Sequence, residues 1–262
     1  MNKSFRPSLS PSAHLSSRLS SRLSVLSLLL AAAGAAQAHQ IWIEQPAGAK
    51  EPAVVRFGEF GENLREASPG LLDKFGQVRA IRLDGKGEQP VDAVKGKDGY
   101  ALPFRAEAGE SLLAEDAAYP LYSFKQGDKQ VSNWYRPAAR LVTGHAALPP
   151  KLTLDVVPAG QPGQFKVFFR GQPLAKAKVS LVTQSGWAKE AHSDAQGLVT
   201  FDLPWKGQYV AEVAHNDKTA GERQGPKGAE KYDAVNYVTS LTVVKADGVE
   251  PIAAGPAATP NK

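Results

Sequence analysis

Apolar and polar residues alternate in short runs along most of this chain, and each run ends at a turn signal. Ile41 and Ile43 alternate with their neighbours, and residues 78–83 do the same before Asp84-Gly85. A period of two is typical of half-buried β-strands. No stretch after residue 38 keeps the 3.6-residue period of a long amphipathic helix. The pattern therefore predicts an all-β fold.

The second half of the chain follows this pattern most regularly. We predict about seven short strands between residues 152 and 244, separated by turns, which is the pattern of a β-sandwich. Pro149-Pro150 interrupts the pattern, because proline lacks the N–H that a strand donates. We therefore predict two tandem immunoglobulin-like β-sandwich domains, at residues 39–148 and 149–246. The Ala/Pro/Gly-rich tail at 247–262 is predicted to be disordered.

The first 38 residues have the composition of an export signal. This segment contains no acid, and its basic residues are Lys3, Arg6, Arg18 and Arg22. An apolar run at 23–36 leads into the A-x-A cleavage signal Ala36-Gln37-Ala38, and this run is shorter than the ~20 residues of a transmembrane helix. We predict a signal peptide at 1–38 and a periplasmic mature chain that begins at His39 and has no membrane span.

Loss of that segment changes the charge of the protein. The whole chain is formally +5, but without its four leading bases 27 basic residues face 26 acidic ones. A nearly neutral chain gives no electrostatic basis for nucleic-acid binding. The chain has no Cys, and its only Met is Met1. Any metal site must therefore use nitrogen and oxygen donors.

An N-terminal histidine is the strongest candidate for chemistry. Cleavage after Ala38 gives His39 a free α-amine beside its imidazole Nδ1, and such nitrogen pairs suit Ni(II) and Cu(II). One further histidine would complete a three-nitrogen site. We predict His39, His145 and His215 as the metal ligands, with His192 as another candidate. The alternative is that His39 is only the residue at which the peptidase cuts.

Other polar features of the sequence are weaker indications of a functional site. The acidic residues Glu59, Glu62 and Glu66 are interpreted as a solvated loop. No G-x-S-x-G, H-E-x-x-H, P-loop or G-x-G-x-x-G motif is present. We therefore expect no enzymatic activity, unless a copper ion at an N-terminal histidine brace supports oxidative chemistry.

Several segments of the chain resemble a known family. The similarity begins at Ala38-His39-Gln40-Ile41-Trp42-Ile43-Glu44 and covers nearly all of the mature chain, through residues 55–64, 118–120, 171–179, 194–197, 205–207 and 237–243. These segments are similar to periplasmic proteins described as nickel/cobalt uptake components, which carry a domain of unknown function. The resemblance implies a soluble periplasmic protein that handles a divalent transition metal and supplies a membrane transporter. Only His39 carries over as a candidate ligand.

Three functions remain open at this point. We predict binding of nickel, cobalt or copper as an accessory component of metal uptake. A cell-envelope interaction module that binds no ligand is the first alternative, because tandem sandwiches also serve as interaction modules. A copper histidine-brace oxidative enzyme is the second alternative.

Overall fold

The regular structure of the described residues is almost entirely β, as predicted. The computed structural model describes residues 39–45 and 50–261, so the predicted signal peptide lies outside the described residues. One 3-10 helix spans Leu71–Lys74. The strands of the first half are β1 (Gln40–Glu44), β2 (Val54–Glu59), β3 (Leu64–Arg65), β4 (Arg79–Asp84), β5 (Gly87–Val91), β6 (Val94–Lys95), β7 (Tyr100–Ala101), β8 (Ser111–Glu115), β9 (Tyr122–Gln126) and β10 (Lys129–Val142). Those of the second half are β11 (Leu154–Pro158), β12 (Gln164–Phe169), β13 (Gln172–Pro173), β14 (Lys178–Val182), β15 (Ala188–His192), β16 (Leu198–Thr200), β17 (Gly207–Asp217), β18 (Gly221–Gly225), β19 (Gly228–Tyr232) and β20 (Ala234–Lys245).

One nine-stranded central sheet joins the two halves of the chain. Its strand order is β15-β14-β17-β20-β10-β8-β4-β5, and β9 extends it as a hairpin with β10. Strands β10 and β20 pair in parallel, from Asn133 opposite Ala234 to Val142 opposite Val243. The predicted boundary at 148/149 falls between β10 and β11. The two sandwiches on either side of this boundary nevertheless share one sheet.

Two smaller sheets cover opposite faces of the central sheet. The first outer sheet contains β1, β2, β7 and β6 with β3, and the second contains β11, β12 and β13 with β16. Successive residues of a strand point to opposite faces, and β20 shows this alternation clearly. Its Val238 packs in the core under the first outer sheet, whereas Tyr237 and Leu241 pack under the second. The fold is therefore a three-layered β-sandwich.

Each outer sheet encloses its own apolar core. Ile43 and Leu112 lie in the first core, and Phe165 and Tyr209 lie in the second, all of them essentially inaccessible to solvent. Burial of one such side chain contributes about 1.5–3 kcal/mol. Among the described residues, no helix has the length and apolar character needed to cross a membrane.

A buried ion pair fixes the central sheet to the second outer sheet. Arg140 on β10 donates from Nε and Nη2 to the Asp155 carboxylate on β11, at 3.0 and 2.6 Å. Both side chains are almost completely buried. The backbone N–H groups of Lys151 and Leu152 also donate to Asp155, at 2.7 and 3.1 Å. The carboxylate therefore holds both the guanidinium and the chain segment that leads into β11.

We predict that Asp155→Ala lowers the free energy of unfolding by about 3–5 kcal/mol, because it leaves the Arg140 charge buried without a partner. Lys178→Ala, in the exposed pair with Glu190, should cost less than about 1 kcal/mol. Chemical denaturation of the two variants and the wild type measures both effects. Similar losses in the two variants would contradict this account of Arg140.

Candidate functional site

His39 lies directly before β1 and is held in place by the central sheet. The Tyr135 hydroxyl on β10 donates a hydrogen bond of 3.0 Å to the His39 carbonyl oxygen. Two residues later, the Ser240 hydroxyl on β20 donates to the Ile41 carbonyl oxygen at 2.7 Å. The His39 ring packs 5.3 Å from the Phe57 ring, measured between centroids. The backbone of His39 is thus fixed, while its side chain stays 27% exposed.

Two carboxylates flank the imidazole of His39, one at each ring nitrogen. Nδ1 lies 3.2 Å from Glu59 Oε1, and Nε2 lies 2.6 Å from Glu66 Oε1. A neutral imidazole carries only one N–H. One contact of the neutral ring therefore places a nitrogen lone pair against a carboxylate oxygen. A second proton or a metal ion would remove that repulsion.

The turn between β2 and β3 places the two carboxylates on opposite sides of the ring. Glu59 ends β2, and the Glu66 N–H donates to the Phe57 carbonyl oxygen at 2.8 Å as the chain returns. The return passes so close that a Cβ on Gly58 would lie 2.3 Å from the Leu64 carbonyl oxygen. Gly58 also has a φ of +142°, so this crossing requires glycine.

The interpretation of this acidic segment as a solvated loop was wrong for Glu66. Its side chain is fully buried, whereas that of Glu59 is 25% exposed. Glu62 alone is exposed as a loop residue would be. A single sequence does not distinguish these three glutamates, because their burial depends on β1 and on distant parts of the chain.

A third carboxylate lies close by, on β17 of the central sheet. Gln40 donates from Nε2 to Glu212 Oε1. Burial, followed by the charge of Glu59, raises the pKa of Glu212 to about 8, although the Gln40 hydrogen bond opposes this shift. Within the described part of the chain, neither Glu59, Glu66 nor Glu212 forms an ion pair with Lys or Arg. The cluster therefore has more potential negative than positive charge.

The structure does not bring the predicted histidines together. His215 packs against Phe169 of β12, with ring centroids 4.4 Å apart, and burial lowers its pKa. It therefore faces the second outer sheet, whereas Glu212 on the same strand faces β1. His145 lies between β10 and β11, where its carbonyl oxygen accepts from the Gly160 N–H at 2.9 Å. His192 is exposed on β15.

Side chains alone do not complete a metal site here. No hydrogen bond or ion pair of the described residues joins His39 to another histidine. In the same residues, no three His, Asp or Glu side chains are already grouped as metal ligands. A ligand role for His145 and His215 stays a prediction that no contact supports. A site at His39 needs a donor beyond these side chains, and a free α-amine would be one.

We predict that Glu212→Gln stabilises the metal-free protein at high pH. The folded state keeps the Glu212 proton up to about pH 8, whereas a carboxyl group with the ordinary pKa of 4.5 releases it earlier. The free energy of unfolding of the wild type should therefore fall as the pH rises through this range. The glutamine side chain cannot ionise, so the variant should be more stable by about 3–5 kcal/mol above pH 8. Near pH 4.5 the two proteins should be similar.

Denaturation at both pH values measures this difference. Glu222→Gln, on the exposed side of β18, is the matched control and should change stability equally little at both. If Glu212→Gln changes the free energy of unfolding equally at both pH values, the raised pKa of Glu212 is not the cause of the change.

Comparison with known proteins identifies the family but not an activity. A family model described as "Domain of unknown function (DUF4198)" matches residues 36–217, which include His39, Glu59, Glu66 and Glu212. No curated protein and no solved structure matches the chain. Since the match covers most of the sequence, the chain belongs to the DUF4198 family.

Proposed function

We propose that this protein binds one divalent transition-metal ion at His39 after residues 1–38 are removed. Nickel, cobalt and copper suit its nitrogen and oxygen donors. The protein would then act in the periplasm as an accessory component of metal uptake and supply a membrane transporter. The observation that carries the proposal is the pair of carboxylates at the two nitrogens of one imidazole, with a third carboxylate nearby and, among the described residues, no Lys or Arg ion pair to any of them.

The two sides of the imidazole suit different tasks. Removal of residues 1–38 would convert the His39 peptide nitrogen into an amine, which can chelate a metal together with Nδ1. Glu59 already lies 3.2 Å from Nδ1 and can supply an oxygen ligand on that side. On the other side, Glu66 can accept a hydrogen bond from Nε2–H. A carboxylate in that position orients a metal-bound histidine and makes it a stronger ligand.

Charge balance also favours a cation at this position. Glu59 is close enough to Glu212 for its charge to raise the pKa of Glu212. A divalent ion at Nδ1 would offset the charge of Glu59, make ionisation of the nearby Glu212 less costly and remove the lone-pair contact between Nδ1 and Glu59. Competing cations from the protein are absent, since none of the described Lys or Arg residues pairs with these carboxylates.

The exposure of the site fits a metal carrier. His39 and Glu59 are each about one-quarter exposed, so an ion can enter and leave from solvent. A structural zinc ion, by contrast, is enclosed by four protein ligands. Copper should bind more tightly than nickel, and nickel more tightly than cobalt. Affinity in solution therefore does not by itself identify the metal that the protein carries.

We predict that protein beginning at His39 binds roughly one equivalent of Ni(II) or Cu(II) in calorimetric titrations. His39→Ala and a form that retains Ala38 should each bind far more weakly, because one loses the imidazole and the other the α-amine. Glu59→Gln should weaken binding by ~10-fold or more, as a lost ligand or supporting carboxylate does.

His145→Ala and His215→Phe are the matched controls, because neither histidine is among the described hydrogen-bond or ion-pair partners of His39. Their affinity should equal that of the wild type. Equal affinity of the His39 form, His39→Ala and the Ala38 form would overturn the proposal. Absence of binding in all forms would favour the envelope interaction module. Oxygen consumption by the copper-loaded protein with a reductant would favour the oxidative enzyme.

A further inference from the structure

The C-terminal segment (residues 249–261) runs from the second half of the chain to the His39 site. It starts at a parallel bridge between Val249 and Trp205, where the Lys206 N–H donates to the Val249 carbonyl oxygen at 2.9 Å. Residues 251–254 then form one wall of a cavity of about 330 Å³. The sequence predicts disorder at 247–262; the segment has no regular strand, but hydrogen bonds attach it to the rest of the chain.

Asn63, in the turn between β2 and β3, fixes the middle of the segment. Its side-chain amide donates to the Gly255 carbonyl oxygen at 2.8 Å. In return, the Ala258 N–H donates to the Asn63 carbonyl oxygen at 3.2 Å. The same turn carries Glu59 and Glu66 on its two arms. The C-terminal segment is therefore attached to the element that shapes the site.

The segment ends on the buried carboxylate of Glu66. The Asn261 backbone N–H donates to Glu66 Oε2 at 2.9 Å, and Asn261 Nδ2 donates to Oε1 at 2.5 Å. Asn261 Nδ2 also lies 3.4 Å from His39 Nε2. Glu66 is fully buried, and the hydrogen bonds to its carboxylate come from Asn261 and His39. A buried carboxylate without such donors would be strongly destabilising.

We propose that the C-terminal segment is a clasp that positions Glu66, and through it the imidazole of His39, for metal binding. Asn261 is a positioning residue, because it donates to the carboxylate and acts on the ring through it. Both Glu66 oxygens are occupied in this arrangement, so the carboxylate is fixed against rotation. Its Oε1 then points at His39 Nε2 and favours the tautomer with the proton on Nε2. The metal role of the clasp rests on the proposed function of His39.

The chemistry of asparagine suits this position. Its amide donates hydrogen bonds but carries no charge, so it supports Glu66 without neutralising it. A cationic side chain at position 261 would compete with the His39 Nε2–H for the Glu66 carboxylate. An acidic side chain at this position would repel Glu66. Asn261 also reaches the ring from the Nε2 side. The Nδ1 side, with Glu59, stays open to an incoming ion.

We predict that the clasp affects two measurable quantities in protein beginning at His39. The first is the ¹⁵N shift of the His39 imidazole in metal-free protein above neutral pH, which should report the Nε2–H tautomer in the wild type. The second is the dissociation constant for Ni(II) or Cu(II) by calorimetry. Asn261→Ala, Asn261→Asp and removal of residues 251–262 should all mix the tautomers and weaken metal binding, by ~10-fold or more.

Both Asn261 variants keep the backbone N–H donor, but Asn261→Asp is isosteric and places a second carboxylate against Glu66. Its effect should therefore exceed that of Asn261→Ala, which only removes the side-chain donor. Thr259→Ala is the matched control, because Thr259 is exposed in the same segment, and it should change neither measurement. Unchanged tautomer and affinity in the Asn261 variants would overturn the clasp, even if the wild type binds metal. A wild type that binds no metal, with tautomers that still shift in the variants, would overturn the metal role and leave the positioning of His39 intact.

Discussion

The structure depends on one strand that is buried on both faces. Residues 234–243 of β20 are all buried, because β10 and β17 pair with its two edges and an outer sheet covers each face. One face meets β1, where Ser240 binds the Ile41 carbonyl oxygen, and the other face contributes Leu241 to the second core. Hydrogen bonds from Ser240 of β20 and Tyr135 of β10 thus set the position of His39, and the surrounding loop residues do not. A rigid sheet of this kind can hold a binding group more precisely than a loop can.

The same layered packing explains why the site carries excess acid. Glu212 points from the central sheet toward β1, Glu59 ends the strand that pairs with β1, and Glu66 is covered by the C-terminal segment. Burial penalises each charge and keeps Glu212 protonated up to about pH 8. The partners of the three carboxyl groups are neutral amides or the single imidazole. By contrast, Arg140 and Asp155 show how this fold neutralises a buried charge elsewhere, with a bidentate ion pair. The absence of such a pairing among the described contacts of the His39 cluster makes an external cation the group that would balance it.

Local pattern predicted the strands well, because alternation is a local property. On β17, for example, the alternate residues Tyr209 and Val213 lie in the second core and His215 packs on Phe169. The parallel pairing of β10 with β20 could not be predicted, because alternation does not identify a partner strand about a hundred residues away. His39 was identified as a candidate from its position after a predicted cleavage signal. Glu66 and Glu212 were missed as neighbours of His39, because their burial arises from contacts with residues that lie far away in sequence.

The contact between Asn261 and Glu66 joins residues 195 positions apart in sequence, and the free energy needed to break it depends on how the C-terminal segment is attached. Most of the segment is exposed, and apart from the bridge at Val249 it has no strand pairing. Segments with few buried contacts open locally at low free-energy cost, while the core stays folded. Glu66 would then become accessible to water, although β1 and β20 would keep His39 in place. The position of the histidine and its orientation are therefore separable: the sheet determines the first, and a weakly attached segment determines the second.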